Sequence, residues 1–273
     1  MRMMAVAKGI SWPVAIAAGL AVAVVTASPV AAQGLNVVYE PTPHETVERM
    51  LNAANVRASD FVIDLGSGDG RIAIAAARRG ARALGVDLDP ARIREAQQNA
   101  QRAGVAGRAS FRQEDLFRTP LGGATVVTLY LLPELNARLA PRLLSLPAGT
   151  RIVSHRFPMG DWKPDQTDTN GGTVYFWIVP ARVAGNWRVR HEGAEFTVAF
   201  TQRNQELAGS ASAGKTAAAV REGRLRGTAI EFTLDLGGRT TRFRGTVSGN
   251  AMHGAPAGLG LATQASSWSA RRM

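Results

Sequence analysis

A glycine-rich segment, Asp64–Arg71, carries the most recognisable chemistry in this chain of 273 residues. It reads DLGSGDGR and lies between an apolar stretch typical of a strand and an alanine-rich stretch typical of a helix. Glycine adopts positive φ and has no Cβ, so such a loop turns tightly and its backbone approaches a ligand closely. The free N–H groups at the start of the following helix favour an anionic group. The segment therefore predicts a ligand-binding loop.

The spacing of the glycines and the acid before them discriminate between two ligands. Dinucleotide sites use G-x-G-x-x-G around a pyrophosphate. Here Gly66, Gly68 and Gly70 have the spacing G-x-G-x-G, and Asp64 precedes them. A carboxylate at that position suits the ammonium group of an amino-acid ligand and would repel a pyrophosphate. The loop, with Ser67 inside it, therefore predicts S-adenosylmethionine (SAM) as cofactor rather than NAD.

Two further acidic positions extend the predicted cofactor site. Asp87 ends the second predicted strand, 23 positions after Asp64, where a carboxylate can accept both ribose hydroxyls. Asp115, followed by Leu116, comes directly after the third predicted strand, where a carboxylate can accept from the adenine amino group. Three elements in this order predict a complete SAM site.

The candidate acceptor side lies at the carboxyl ends of the fourth and fifth predicted strands. Methyl transfer is an in-line displacement, in which positioning supplies much of the catalysis. Tyr130 and Glu134 can orient an amine, and Glu134 or His155 can help a lysine lose its proton through water. The structural alternative for Glu134 is a first-turn helix carboxylate, and that for His155 is a satisfied histidine at a strand end. Trp162 fits either the core or the pocket wall. No group of residues has metal-site spacing, so no metal is expected.

The same segments carry a family resemblance. VIDLGSGDGR, GVDLDP and EDL resemble motifs I, II and III of class I SAM-dependent methyltransferases. YEPTPHETVERML, TLYLLPELN and RIVSHRFPMGDWKPD are similar to the family that contains the mitochondrial lysine methyltransferases of the ATP synthase c-subunit and of the adenine nucleotide translocator. The resemblance implies a protein lysine as acceptor. It also implies SAM binding by Asp64, Gly66, Gly68, Asp87 and Asp115.

The elements that position these residues alternate between strands and helices from Val37 to Pro180. This pattern predicts βαβ units and a parallel sheet. Thr42 is expected to cap the first helix, with Pro43 at its first helical position. Asp89 is expected to cap a later helix.

The remainder of the chain has a different pattern. From Val183 onward, short strands are separated by Gly, Asn and Ser, which predicts an antiparallel meander or small barrel. We therefore expect an α/β fold: a Rossmann-like SAM methyltransferase sheet with helices on both faces in residues 33–182. A small antiparallel β-domain is expected to follow in residues 183–273.

The N-terminus has the composition of an export signal. Arg2 and Lys8 precede an apolar, alanine-rich stretch from Val14 to Val25, and small residues follow it. This order predicts a signal peptide over residues 1–32, a mature chain that begins at Gln33, and a periplasmic or secreted protein. The alternative is an uncleaved anchor in the inner membrane.

Composition limits the remaining function classes. The chain has no cysteine, which excludes disulfides, thiolate metal sites and cysteine nucleophiles. Its net charge of +11 favours acidic partners, and the β-rich part carries twelve Lys and Arg against six Asp and Glu. An anionic envelope surface is therefore a candidate partner. The favoured function is N-methylation of a protein lysine. The alternatives are a small-molecule or nucleic-acid acceptor and a non-catalytic scaffold.

Overall fold

The computed structural model describes residues 40–254 and 267–273. The predicted signal peptide and the predicted start of the mature chain lie outside these residues. Within them, no helix is both long enough and apolar enough to cross a membrane.

The first part of the chain folds into a seven-stranded sheet with four helices. The strand order is β3-β2-β1-β4-β5-β7-β6. The strands are β1 Phe61–Leu65, β2 Arg82–Asp87, β3 Ala109–Gln113, β4 Val126–Leu129, β5 Arg151–His155, β6 Gln166–Asp168 and β7 Val174–Ile178. The helices are α1 His44–Ala53, α2 Arg71–Arg78, α3 Pro90–Arg102 and α4 Pro133–Leu143.

The prediction of a parallel sheet is correct for β1 to β5 and wrong for the last two strands. β7 runs antiparallel to β5, and the short strand β6, which the sequence pattern does not indicate, runs antiparallel to β7. After β5 the chain first forms β6 at the edge of the sheet and then turns back. β7 therefore lies between β5 and β6 and runs antiparallel to both.

Neighbouring residues of the central strands belong to two separate cores, one on each face of the sheet. Val62 packs in the core that includes residues of α1, α2 and α3. Ile63 packs in the core that includes Leu139 and Leu143 of α4. Because alternate residues of a strand point to opposite faces, the helices lie on both faces, as predicted.

Of the two predicted helix caps, the one for α3 is confirmed and the one for α1 is not. Asp89 is the N-cap of α3, and its side chain accepts a hydrogen bond from the backbone N–H of Ala91 at 2.7 Å. The predicted cap of α1 is wrong, because Pro43 occupies the N-cap position and no side chain caps the helix. The hydroxyl of Thr42 instead lies 3.3 Å from Nδ1 of His155.

The second part of the chain is a closed antiparallel barrel of eight strands, so the barrel alternative is the correct one. Its strands are β8 Gly185–His191, β9 Ala194–Arg203, β10 Glu206–Ala213, β12 Arg221–Arg226, β13 Ala229–Leu236, β14 Arg239–Ser248, β15 Ala251–His253 and β16 Trp268–Arg272. Pairing of β9 with β10 closes the barrel, and β11 Thr216–Ala219 pairs with β10 outside the ring. Inward side chains such as Trp187, Phe232 and Phe243 fill the interior.

The barrel contacts the segment that connects β5 to β6. Lys163 Nζ lies 2.7 Å from Glu206 Oε1, and the buried Gln205 donates from Nε2 to the carbonyl of Lys163 at 2.7 Å. Arg224 pairs at 3.2 Å with Asp165, whose side chain is 1% exposed. Barrel side chains therefore hold residues 161–165 in place. The domain boundary placed after residue 182 stays a prediction, in the interval between Ile178 and Gly185.

Candidate active site

The glycine loop turns between β1 and α2 through positive-φ conformations. Gly66, Gly68 and Gly70 have φ values of 77°, 51° and 81°. A Cβ on Gly66 would lie 2.6 Å from the side chain of Leu131, and one on Gly70 would lie 2.7 Å from the ring of Phe111. Side chains at these positions would therefore strain the backbone and clash with their neighbours.

Two buried polar atoms of this loop are suited to the amino-acid part of SAM. Asp64 is 1% exposed, and its Oδ1 accepts from the hydroxyl of Thr128 at 2.7 Å. Its Oδ2 and the Oγ of Ser67 are buried and have no partner among the described residues. An ammonium group can donate to such a carboxylate oxygen. The residues present therefore fit the cofactor.

The pKa of Asp64 is raised to about 7. Burial is the main cause, and the carboxylates of Asp87 and Asp69 add to it, while the hydrogen bond from Thr128 opposes it. A cationic ligand would favour the charged form of Asp64. Cofactor binding and ionisation of this carboxyl group are therefore coupled.

Asp87 is oriented by backbone N–H groups on both of its oxygens. Gly68 donates to Oδ2 at 2.9 Å, and Asp89 donates to Oδ1 at 3.0 Å. A carboxylate has about four acceptor positions, so each oxygen can accept one more hydrogen bond. The structure thus places at the end of β2 a fixed carboxylate that can still accept the two ribose hydroxyls.

The segment that contains Asp115, the third predicted cofactor element, lies beside the end of β2, which carries Asp87. The backbone N–H of Glu114 donates to the carbonyl of Asp87 at 3.0 Å, which joins the ends of β2 and β3. Asp115 is half-buried, and its Oδ1 accepts from the backbone N–H of Phe117 at 2.9 Å. Leu116 packs against the core on the α4 face. The predicted cofactor residues therefore follow three neighbouring strands, and their individual roles stay predictions.

Sequence reasoning missed Leu88. This side chain is 64% exposed and directly follows Asp87. Scattered exposed leucines are ordinary, but this one lies next to the predicted ribose acceptor and offers apolar surface to a base. Its position in GVDLDP is visible in the sequence, whereas its exposure is not.

On the acceptor side, the structure brings Tyr130 and His155 together. Their ring centroids are 4.2 Å apart, at the ends of the neighbouring strands β4 and β5. His155 is buried, and Thr42 lies within hydrogen-bonding distance of its Nδ1. Burial lowers the pKa of His155, the cations of Arg156 and Arg49 lower it further, and Glu40 opposes them. The imidazole is therefore neutral at pH 7.

Two residues that sequence reasoning missed complete this cluster. Arg156 Nη1 donates to the hydroxyl of Tyr130 at 3.4 Å and pairs with Glu40 at 3.0 Å. Burial raises the pKa of Tyr130, which keeps its hydroxyl protonated. Arg156 has φ of 66°, a conformation that is rare for a residue other than glycine and that no sequence signal indicates. We call Glu40, Thr42, Tyr130, His155 and Arg156 the acceptor-side cluster.

The other two acceptor-side residues have simpler environments. Glu134 is exposed in the first turn of α4 and forms no hydrogen bond or ion pair with the described residues. Trp162 is 2% exposed, and its carbonyl accepts from Nε1 of Trp177 at 2.9 Å, so it lies in the core. In the described ranges, no group of three or more His, Asp or Glu residues is arranged to hold a metal ion.

Comparison with known proteins agrees with this geometry. Residues 64–166 match the family model described as the ANTKMT methyltransferase domain. A protein-lysine N-methyltransferase from Saccharolobus islandicus is 43% identical over 152 residues, which are 53% of this chain and 94% of that protein. The adenine nucleotide translocase lysine N-methyltransferase from Mus musculus is 35% identical over 153 residues, 55% of this chain and 66% of that protein.

A solved structure is also similar. It is an RNA methyltransferase from Salinibacter ruber in complex with S-adenosyl-L-homocysteine, with 52% identity and a TM-score of 0.52. The match covers 53% of this chain and 96% of that one.

Fold, site and relatives together define a class I SAM-dependent methyltransferase, with SAM as cofactor. Within that class, the chain belongs to the family of protein-lysine N-methyltransferases that includes the protein from Saccharolobus islandicus.

Proposed function

We propose that this enzyme methylates the side-chain amine of a lysine in a protein. The observation that carries the proposal is the 43% identity to a protein-lysine N-methyltransferase over 94% of that relative's length. The matched family model spans residues 64–166 and so includes the cofactor loop, Tyr130 and His155. The similarity therefore covers residues on both the cofactor side and the acceptor side of the site.

The acceptor-side cluster has the chemistry that a lysine needs. SAM, when bound, supplies a methyl group on a positively charged sulfur. The chain must supply an unprotonated amine and hold it in line, which is mainly a task of positioning. Glu40 is exposed and paired with Arg156, and its carboxylate can also accept from a lysine ammonium. The neutral His155 and the protonated Tyr130 can orient the amine, and Glu134 or His155 can pass its proton to water.

The test is incubation of the enzyme with radiolabelled SAM and a cell-envelope protein extract from the native host. We expect label in protein and methylated lysine after hydrolysis. The matched control is the Asp87→Ala variant, which keeps the acceptor-side cluster intact. Label that appears in protein at an amino acid other than lysine would contradict the proposal.

RNA is the second candidate acceptor. The solved structure with 52% identity is described as an RNA methyltransferase, and the net charge of +11 suits a polyanion. A parallel incubation with total RNA separates the two candidates. If the RNA were labelled and the protein were not, the methyl acceptor would be a nucleotide rather than a lysine.

We further propose that the enzyme acts outside the cytoplasm, a proposal supported by the order of basic, apolar and small residues before Gln33. N-terminal sequencing of the protein from its native host should return Gln33. A chain that still begins at Met1 in the membrane fraction would show an uncleaved anchor.

A further inference from the structure

Four arginines line one groove at the surface of the barrel, and three of them, Arg188, Arg190 and Arg271, occupy outward-facing positions of their strands. The groove has a volume of about 340 Å³ and lies along β8 and β16. None of its lining residues belongs to the methyltransferase sheet. We call it the arginine groove; its lining comprises Arg188, Arg190, Ser269, Ala270, Arg271, Arg272 and Met273.

The strand register in this groove places two positive charges opposite each other. Arg188 of β8 pairs in register with Arg271 of β16. Like charges directly opposite across two strands destabilise a sheet. Among the described barrel strands, this is the one register pair that joins two full charges of the same sign. Other barrel arginines lie opposite an acid or a neutral residue: Arg224 and Arg244 both lie opposite Glu231, and Arg242 lies opposite Thr233.

The nearby acids compensate only part of this charge. Arg188 and Arg190 share a single carboxylate, that of Glu195, at 3.4 Å and 2.8 Å. Arg271 is exposed and forms no ion pair with a carboxylate in the described residues. Arg272 donates to two backbone carbonyls and lies 4.5 Å from the ring centroid of Trp187, which holds its guanidinium without cancelling its charge.

An arrangement that costs stability and leaves cations uncompensated is typical of a binding site. The planar guanidinium group matches phosphate geometry and can bind it through two hydrogen bonds. Arg188 and Arg190 have side chains that are 54% and 72% exposed, so both are accessible to a ligand. The hydroxyl of Ser269, opposite Arg190, adds a neutral donor.

The extent of the groove favours a single phosphate over a polyanion. On one side, β9 presents Glu195 and Thr197 next to the two β8 arginines. On the other side, β15 presents Ala251 next to Arg271. The cationic strip is therefore two strands wide, whereas a nucleic acid needs a track of cations along its backbone.

We propose that the arginine groove binds a phosphate ester, and that the source of the phosphate is the headgroup of an anionic lipid. Basic side chains near an anionic membrane surface each add to the attraction, so a cluster of this size suits a lipid surface. The barrel then docks the enzyme on a membrane, independently of the cofactor and acceptor sites.

The test uses the full-length protein and two variants with equal loss of charge. Arg188→Gln with Arg271→Gln alters the groove. Arg242→Gln with Arg244→Gln removes two outward arginines of β14 that are both bound to Glu231. The probes are phosphatidylcholine vesicles with and without phosphatidylglycerol, glycerol 3-phosphate and a single-stranded RNA oligomer. The far-UV circular dichroism spectrum and the melting temperature of each variant serve as the check that the barrel folds.

We expect the wild type to bind vesicles that contain phosphatidylglycerol. The groove variant should bind them at least tenfold more weakly, and the β14 variant should stay within about twofold of the wild type. Equal losses in the two variants would show attraction by net charge alone and overturn the proposal. If the wild type bound only glycerol 3-phosphate, or only RNA, the proposal that the phosphate belongs to a lipid headgroup would be overturned.

A second measurement tests the like-charge pair itself. Arg271→Gln removes the repulsion across β8 and β16, so it should raise the melting temperature while it weakens vesicle binding. A lower melting temperature would show that Arg271 stabilises the barrel, which contradicts a site that exists for a ligand.

Discussion

The cofactor side and the acceptor side of the active site are built in different ways. On the cofactor side, backbone N–H groups orient Asp87: Gly68, 19 positions away, donates to it, and the hydroxyl of Thr128 adds one longer-range side-chain contact to Asp64. On the acceptor side, side chains contact side chains over long separations: Thr42 and His155 are 113 positions apart, and Glu40 and Arg156 are 116 apart. A backbone-built site is set by the fold, whereas a side-chain cluster can change its substrate through single substitutions.

This difference predicts that variants on one side should leave the other side intact. SAM affinity should depend on Asp64 and Asp87, and acceptor turnover at saturating SAM should depend on Thr42 and His155. A variant that changes both quantities equally would break the distinction.

The largest effect is expected for Asp87→Ala. Hydrogen bonds to a charged acceptor contribute roughly 1.5–3 kcal/mol each, so losing two, roughly 3–6 kcal/mol, should weaken SAM binding by about 100- to 10,000-fold. Asp87→Asn keeps the shape and loses the charge, so its affinity should fall between those of the wild type and the alanine variant. Isothermal titration with SAM measures all three affinities.

Asp89→Ala is the matched control, two residues away. Asp89 caps α3 through Ala91, so its loss should cost about 1 kcal/mol of stability and change SAM affinity little. If Asp89→Ala lost SAM while Asp87→Ala bound normally, the assignment of these two residues would be reversed.

The second largest effect is a pH dependence caused by Asp64. Its pKa is raised to about 7, so the cofactor-free enzyme loses the carboxylate as the pH falls through that value. A ligand that needs the charged form should therefore bind about tenfold more weakly one unit below the pKa. Titrations between about pH 5.5 and 7.5 stay below the usual α-amino pKa of about 7.7–8.0. In Asp64→Asn the dependence should disappear and affinity should be low throughout.

The raised pKa of Asp64 gives the stability of the folded enzyme the opposite pH dependence. Because the folded pKa lies above the unfolded value of about 3.9, the folded enzyme binds more protons between these two values. The Asp64 contribution to stability is thus present below about pH 4 and is lost as the pH rises through about 7. Saturating SAM should reduce this loss, and thermal melts with and without cofactor measure the difference.

The cofactor side is easier to predict from the sequence than the acceptor side, because it depends less on contacts between distant side chains. The cofactor loop is recognisable because glycines, an acid and a strand–helix context lie within eight residues, Asp64–Arg71. Tyr130 and His155 are recognisable because they lie near the carboxyl ends of predicted strands that are neighbours in the sheet. Arg156 is missed because its backbone conformation and its contact with Glu40 depend on the tertiary structure.

Thr42 shows how a local rule can identify a residue and assign it the wrong role. The sequence Thr42-Pro43 before a helix matches a capping pattern, and local rules give it no other role. In the fold, β5 places His155 against the hydroxyl, and the helix starts without a side-chain cap. Likewise the sequence predicts β7 as a strand but with the wrong direction, since strand direction depends on the connection rather than on the residues of the strand.

A smaller effect is expected for Thr42→Val, which keeps the shape and removes the hydroxyl next to His155. A typical hydrogen bond contributes about 0.5–1.5 kcal/mol, so the rate with acceptor should fall about 2- to 12-fold. SAM affinity should stay within about twofold. Steady-state kinetics at saturating SAM measures the rate, and unchanged turnover would show that Thr42 has no part in acceptor positioning.

The smallest effect concerns the barrel, which contacts the segment after β5. Gln205 is 3% exposed and donates to the carbonyl of Lys163, two residues before the buried Asp165. Gln205→Ala leaves that carbonyl without its partner, which costs about 1–3 kcal/mol of stability. Because the same segment begins at Arg156, we expect a two- to fivefold loss of acceptor turnover, equivalent to roughly 0.4–1 kcal/mol, with SAM affinity unchanged.

Glu206→Gln is the neighbouring control: its ion pair with Lys163 is largely exposed, so it should change stability by less than about 1 kcal/mol and turnover hardly at all. A loss of SAM affinity in Gln205→Ala would mean that the barrel supports the whole methyltransferase domain rather than its acceptor side.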